Sequence, residues 1–254
     1  MILDTFRLDG KVALVTGARQ GLGQGLALAL AEAGADIAAL DKGDVEETKA
    51  AVAALKRRFL SIEYNLRDAS PADLGRVVER VRSELGRLDV LVNNAGIIRR
   101  SPAVDFTEAD WDDVLQVDLK AVFFLSQAAA RLMLARGGGK IINIASMLAF
   151  QGGILIPSYT AAKSGVAGIT RALANEWAAR GINVNAIAPG YMATENTSAL
   201  RADPKRSASI LERIPAGRWG TPSDLKGAVV FLASPASDYL HGAIVPVDGG
   251  WLTR

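Results

Sequence analysis

Short apolar runs alternate with longer amphipathic stretches along the whole chain. Residues 11–16, Lys-Val-Ala-Leu-Val-Thr, form a Val-rich run of the kind that predicts a strand buried on both faces. An Ala/Leu-rich stretch over 24–34 predicts a helix stopped by Gly34, and 36–40 predicts a second strand closing in Asp41. Asp44 and Glu47 have capping-box spacing for a helix to about Arg58, and 59–66 predicts a third strand. Ser70-Pro71-Ala72-Asp73 starts a helix to about Gly86, with Ser as cap and Pro at its first position. Residues 89–92 predict the fourth strand. Thr107 caps one long helix reaching about Arg136, which the run Gly137 to Gly139 ends. A fifth strand is predicted over 140–145, then a helix to about Arg180, and a sixth strand over 182–188. The polar stretch 195–213 reads as a mobile helical segment, a lid at about 194–215. Thr221 caps the last helix, and 243–247 predicts the final strand.

Strand and helix alternate without a linker, an internal repeat or a low-complexity segment. That order predicts a single α/β domain, a mostly seven-stranded parallel sheet wound with helices on both faces. Ligands in such sheets sit at the carboxyl ends of the strands. Gly17, Asp41, Asn65, Asn93, Ser146 and Pro189 all fall at predicted strand ends, so their convergence carries more weight than any one of them.

The first strand runs into Thr16-Gly17-Ala18-Arg19-Gln20-Gly21-Leu22-Gly23. Glycines at a strand–helix turn let backbone approach a pyrophosphate, and the helix start offers free N–H groups and a positive dipole end. Asp41 can accept both hydroxyls of an adenosine ribose and would repel a 2′-phosphate, which favours NAD. Arg19 and Lys42 lie beside it and leave NADP open. Tyr159 and Lys163 are four apart on a predicted helix, one turn from each other. An ammonium beside a phenol favours the phenolate, so the spacing predicts a tyrosine lowered toward neutrality and able to give or take a proton. Taken alone, the same spacing is also that of an ordinary surface helix pair.

Composition narrows the chemistry. The chain has no cysteine and one histidine, His241, which excludes thiolate catalysis, disulfides and a multi-His metal site. No metal is expected, and His241 is expected to be structural. The net charge of +2, with both signs interspersed, gives no case for nucleic acid or an anionic membrane surface. Residues 1–11 carry Asp4, Arg7, Asp9 and Lys11, which is not the pattern of a signal peptide, and no apolar run is long enough to span a bilayer. A cytoplasmic location is expected.

Together, Thr16-Gly17-x-x-x-Gly21-x-Gly23, Asn93-Asn94-Ala95-Gly96, Ser146, Tyr159-x-x-x-Lys163 and Pro189-Gly190 resemble the classical short-chain dehydrogenases/reductases over essentially the whole chain. Further stretches, among them Ile97 to Arg100, Phe150 to Gly153 and Arg213 to Gly220, resemble members acting on deoxy keto-sugar acids. The resemblance implies a Rossmann-type fold, NAD as cofactor and a homotetramer. It gives Ser146 the substrate oxygen, Tyr159 the proton transfer, and Lys163 both the tuning of Tyr159 and the nicotinamide ribose. Gly17, Gln20, Gly21, Leu22 and Gly23 are implied around the pyrophosphate, and Asp41, Asn65 and Leu66 around the adenosine. Asn93, Ala95 and Gly96 are implied along the cofactor channel, with Pro189, Gly190, Met192 and Thr194 about the nicotinamide. Two positions depart from the family: Asp118 stands where a fourth catalytic residue is usually Asn, and Asn65 where an Asp usually meets the adenine amino group. An amide oxygen accepts the same bond, whereas a carboxylate near Lys163 either weakens the relay or pairs harmlessly. Arg99 and Arg100 are candidates to hold a substrate carboxylate, with Arg201, Lys205 and Arg206 as alternatives. Met147, Gln151, Tyr191 and Trp219 are candidate pocket walls, and Phe123, Phe124 and Trp177 belong to core or subunit interface. Gluconate or 3-oxoacyl carrier-protein substrates, and a catalytically idle dinucleotide binder, are the rival readings.

Overall fold

All residues 1–254 are described by the structure, a computed structural model. Seven strands form one sheet: β1 (Val12–Thr16), β2 (Asp36–Asp41), β3 (Phe59–Glu63), β4 (Val90–Asn93), β5 (Gly139–Ile144), β6 (Ile182–Pro189) and β7 (Ile244–Val247). Their spatial order is β3-β2-β1-β4-β5-β6-β7, and every pairing is parallel. The strand order reverses between β1 and β4, so the crevice at their carboxyl ends is the place where a ligand fits.

The interconnecting helices are α1 (Gly21–Glu32), α2 (Glu46–Ala54), α3 (Pro71–Leu85), α4 (Glu108–Leu115), α5 (Ala121–Ala135), α6 (Pro157–Trp177), α7 (Ser198–Ala202), α8 (Pro204–Arg213) and α9 (Lys226–Ala233). Successive strand residues feed opposite apolar layers. Val12 and Leu14 join the layer under α3, α5 and α6, while Ala13 and Val15 join the layer under α1, α2 and α9. Both faces of the sheet are therefore covered, as its near-continuous apolar strands require. No helix is long and apolar enough to cross a membrane.

Local chemistry explains most boundaries. Ser70 and Asp73 close a reciprocal capping box on α3, and Gly86 ends it at φ +87°. Thr107 caps α4 by accepting from Asp110 N–H. Three expectations are corrected. The helix expected to reach Arg58 ends at Ala54, because the chain turns left-handed at Lys56 (φ +58°). The strand expected to reach Leu66 stops at Glu63, because the Asn65 side chain accepts from Arg67 N–H and starts a 3₁₀ turn instead. The long helix from Thr107 is not continuous. A π-helical turn, Gln116–Lys120, separates α4 from α5 and carries Asp118 into the interior.

Candidate functional site

A cleft of about 760 Å³ crosses the carboxyl ends of the strands. One end is built by the glycine turn. A Cβ on Gly23 would lie 2.0 Å from the Gly17 carbonyl oxygen, and one on Gly17 would lie 2.9 Å from Ala95 Cα, so backbone replaces side chain at both places. Asn94 braces this turn: its Nδ2 donates to the Thr16 carbonyl at 2.9 Å and the Gly17 carbonyl at 3.2 Å. The Asn94 and Ala95 N–H groups both donate to Thr16 Oγ1 at 2.9 Å. No side chain caps α1, and Gly21, Leu22 and Gly23 of its first turn stand at the cleft wall. A bare helix start beside a tight glycine cradle fits a pyrophosphate, which supplies the acceptors these donors lack.

Further along, Asp41, Lys42, Asn65, Leu66 and Arg19 form the far wall. Asp41 Oδ2 accepts from Arg19 N–H at 3.0 Å. Asn65 is already engaged: besides capping Arg67, its Nδ2 donates to Asp68 at 2.8 Å. Thr194, Ala95 and Gly96 also reach the cleft. Asn93, implied in the channel, lies beneath it instead. It is buried and donates to Ser126 Oγ at 3.0 Å and Asn143 Oδ1 at 2.9 Å, while Asn143 donates to Thr170 Oγ1. That chain of bonds ties β4 and β5 to α5 and α6. Pro189, Gly190 and Met192 likewise stand outside the cleft lining; Gly190 packs against Asp248, and Met192 is buried against Gly220.

At the other end, Tyr159 and Lys163 rise from α6 into the cleft, with Nζ 5.4 Å from the ring centroid. Lys163 Nζ donates to the Ile144 carbonyl at 2.9 Å and lies 3.3 Å from Asp118 Oδ2. Ser146, just past β5, accepts from Leu148 N–H at 3.2 Å and lies beside Tyr159. Burial holds the Tyr159 hydroxyl above its ordinary value against the pull of Lys163; Asp118 adds to the rise, and Ser146 and Arg100 oppose it. The four-residue spacing predicted a lowered value. The net direction is the opposite, because burial and a carboxylate outweigh one ammonium. Lys163 is raised although burial works against its charge, because Asp118 and then Tyr159 attract it. Burial pushes Asp118 above the usual carboxylate range, against Lys163 and the Ile97 N–H.

The candidate carboxylate binders separate. Arg99 reaches the cleft but is committed to Asp110 at 3.1 Å and Asp113 at 3.3 Å. Arg100 is exposed and spends one donor on the Asn196 carbonyl at 3.1 Å. Arg201 bonds the Thr194 carbonyl, and Lys205 and Arg206 remain exposed on α8. Met147, Tyr191 and Trp219 do come together, in an apolar cluster with Ile210, Ile214 and Trp251. Gln151 joins them: its Oε1 accepts from Trp251 Nε1 and from Arg213 Nη2, both at 3.3 Å. The Arg213 guanidinium stacks 4.1 Å over the Trp251 ring. Asn94, Tyr64, Arg213 and Trp251 were not singled out from sequence. Asn94 sat inside a quoted motif, while nothing local marks Trp251, which follows the turn at Gly249 and Gly250 (φ +66° and +88°) and packs edge-on to Tyr191. His241 stands against Asn183, outside the cleft lining.

Residues 17–252 match the family described as Enoyl-(Acyl carrier protein) reductase. Escherichia coli 2-dehydro-3-deoxy-D-gluconate 5-dehydrogenase is 63% identical over 257 residues, covering 100% of both chains. A crystal structure from Agrobacterium tumefaciens, assigned as a 2-deoxy-D-gluconate 3-dehydrogenase with bound NADP, superposes with a TM-score of 0.93 at 55% identity, covering 98% of this chain and 99% of that one. A gluconate 5-dehydrogenase from Burkholderia cenocepacia in complex with NADP and tartrate gives a TM-score of 0.94 at 40% identity over 100% of both chains.

Proposed function

Since the chain belongs to the short-chain dehydrogenase/reductase family, we propose that it is an NAD-dependent oxidoreductase interconverting a hydroxyl and a ketone on a deoxy keto-sugar acid. The substrate proposed is 2-dehydro-3-deoxy-D-gluconate, giving 2,5-didehydro-3-deoxy-D-gluconate, in the breakdown of uronates such as pectin. One observation carries the reading: Tyr159 and Lys163 stand in the same cleft as the glycine turn at Gly17 to Gly23, with Ser146 beside Tyr159. A nicotinamide dinucleotide would be held by that turn, by Asp41 at the adenosine ribose and by Lys163 at the second ribose. It supplies the hydride chemistry when bound.

The protein's own residues handle the oxygen and its proton. Ser146 Oγ hydrogen-bonds the reacting oxygen. Tyr159 gives that oxygen a proton in reduction and takes one in oxidation, and Lys163 favours its ionised form. Arg100 is the better placed of the two arginines for the substrate carboxylate, because Arg99 already serves two carboxylates. Met147, Gln151 and Tyr191 form the walls, and the segment over 194–215, with α7 and α8, is the mobile lid. A homotetramer is part of the proposal, with the partly exposed side chains of Phe123, Phe124 and Ile169 on α5 and α6 as the candidate interface. A cytoplasmic location completes the proposal.

A cofactor and substrate panel tests it. Nicotinamide absorbance is followed with NAD or NADP, offering 2-dehydro-3-deoxygluconate, 2-deoxygluconate, gluconate and a 3-hydroxyacyl thioester. Turnover of the deoxy sugar acids with NAD is expected. Turnover confined to gluconate would favour the second reading, which the resemblance to gluconate 5-dehydrogenase supports. Retained NAD binding with no turnover on the panel would favour an idle binder.

Cofactor choice has its own test, because relatives bind NADP and Arg19 and Lys42 flank Asp41. A charge-assisted hydrogen bond is worth about 1.5–3 kcal/mol, so Asp41→Ala should narrow the NAD-over-NADP ratio of kcat/KM about tenfold or more. An unchanged ratio would remove Asp41 as the selector.

A further inference from the structure

Asp118 is fully buried in the π turn, and its carboxylate is met by donors. Ile97 N–H donates to Oδ1 at 2.8 Å, and the Lys163 ammonium lies 3.3 Å from Oδ2. Gly96 closes the remaining side, where a Cβ would sit 2.7 Å from Oδ2. Oδ2 makes no hydrogen bond of good geometry with anything. A proton placed there would face an ammonium, which has donors and no acceptor, so the arrangement holds a carboxylate against an ammonium. Lys163 spends another donor on the Ile144 carbonyl and turns toward the Tyr159 ring. The charged groups facing Tyr159 are Lys163 from α6, Asp118 from the π turn and Arg100 from the segment after β4, with the Ser146 hydroxyl beside them.

We propose that Asp118 is a positioning residue of the proton relay: as the buried counter-ion of Lys163 it fixes that ammonium and cancels part of its attraction for the Tyr159 phenolate. The inference rests on the reading of Tyr159 as the proton-transfer group. An Asn at this position would present the same shape without the charge, and the phenol would then face two cations with no anion among them. The carboxylate therefore delays ionisation of Tyr159 to higher pH. Alcohol oxidation, which needs the phenolate, then begins at higher pH. Ketone reduction, which needs the phenol, then persists to higher pH. The two limbs are tied to one group and move together.

Spectrophotometric titration of the protein without substrate tests this directly. The chain has four tyrosines, so the phenolate absorbance of Tyr159 is isolated by subtracting a Tyr159→Phe titration. Asp118→Asn is expected to move the ionisation of Tyr159 down by about one pH unit or more, tenfold more phenolate at a given lower pH. Asp118→Ala, which removes the charge without inserting an amide against Lys163, is expected to move it the same way. In pH–rate profiles, the oxidation and reduction limbs of both variants shift together to lower pH, whereas loss of a merely structural residue would lower kcat with the limbs unmoved. Folded variants that ionise Tyr159 at the unaltered pH would overturn the proposal. If no sugar acid is turned over and the titration still shifts, the substrate reading fails and the role of Asp118 stands.

Discussion

Tyr159→Phe is expected to lower turnover by about 10²–10⁴-fold, the range that a positioned general acid–base contributes, while dinucleotide binding survives. The substitution removes one hydroxyl and keeps the ring, so the packing of α6 and the position of the Lys163 Nζ, 5.4 Å from the ring centroid, have no reason to change. The glycine turn and Asp41 are formed by β1, α1 and β2, and Tyr159 belongs to none of these elements. Binding and proton transfer should therefore separate: nicotinamide fluorescence titrates normally, and steady-state turnover collapses at every pH. Residual turnover within a few-fold of the unaltered enzyme would remove Tyr159 from the chemistry and turn attention to Ser146.

Gly23→Ala should abolish dinucleotide binding and cost about 1–3 kcal/mol of stability, as overpacking of a filled site does. Intrinsic propensity points the other way, since Ala exceeds Gly in a helix by about 1 kcal/mol. The clash decides, because the added Cβ would lie 2.0 Å from the Gly17 carbonyl oxygen and 2.5 Å from Asn94 Nδ2. Neither neighbour can yield cheaply. The Gly17 carbonyl is backbone, and the Asn94 amide is itself holding the Thr16 and Gly17 carbonyls. Moving either reshapes the cradle that is to receive the pyrophosphate. Gly168 supplies the control: it lies within α6 with nothing within 4 Å of its Cβ position, so Gly168→Ala should be neutral to stabilising by up to about 1 kcal/mol. Thermal melting and dinucleotide titration of the two variants read both effects. Unchanged binding by Gly23→Ala would show that the turn can open without loss.

Much of the architecture was legible along the chain because its causes are local. Ser70 and Asp73 start a helix within one turn, and Gly86 and Gly181 end helices by adopting positive φ. Val12 to Val15 is apolar at every position, as a strand covered on both faces must be. The same holds for the glycine turn between β1 and α1, and for Tyr159 and Lys163, whose spacing on one helix fixes their juxtaposition. Where local signals competed, the boundaries moved. Asn65 chose a side-chain cap over three further residues of β3, and Lys56 ended α2 early.

Alternating strand and helix, the glycine turn after β1 and the spacing of Tyr159 and Lys163 could be read directly along the chain. The alternation, the glycine turn and the Tyr159–Lys163 spacing depend on residues within a few positions of one another, so hydrogen bonding, periodicity and backbone freedom act there before the chain has folded, and the parallel sheet follows from the alternation. Which polar groups meet after burial was settled by packing. It took Asn93 out of the cleft and into a bonded chain with Asn143 and Ser126, and committed Arg99 to Asp110 and Asp113. It brought Arg213 and Trp251 to Gln151 across the fold, and through one π turn set Asp118 against Lys163. It also held the Tyr159 hydroxyl above its ordinary value, through burial, where spacing alone predicted a fall. Desolvation and long-range charge depend on everything packed around a group, and no stretch of sequence contains that surrounding.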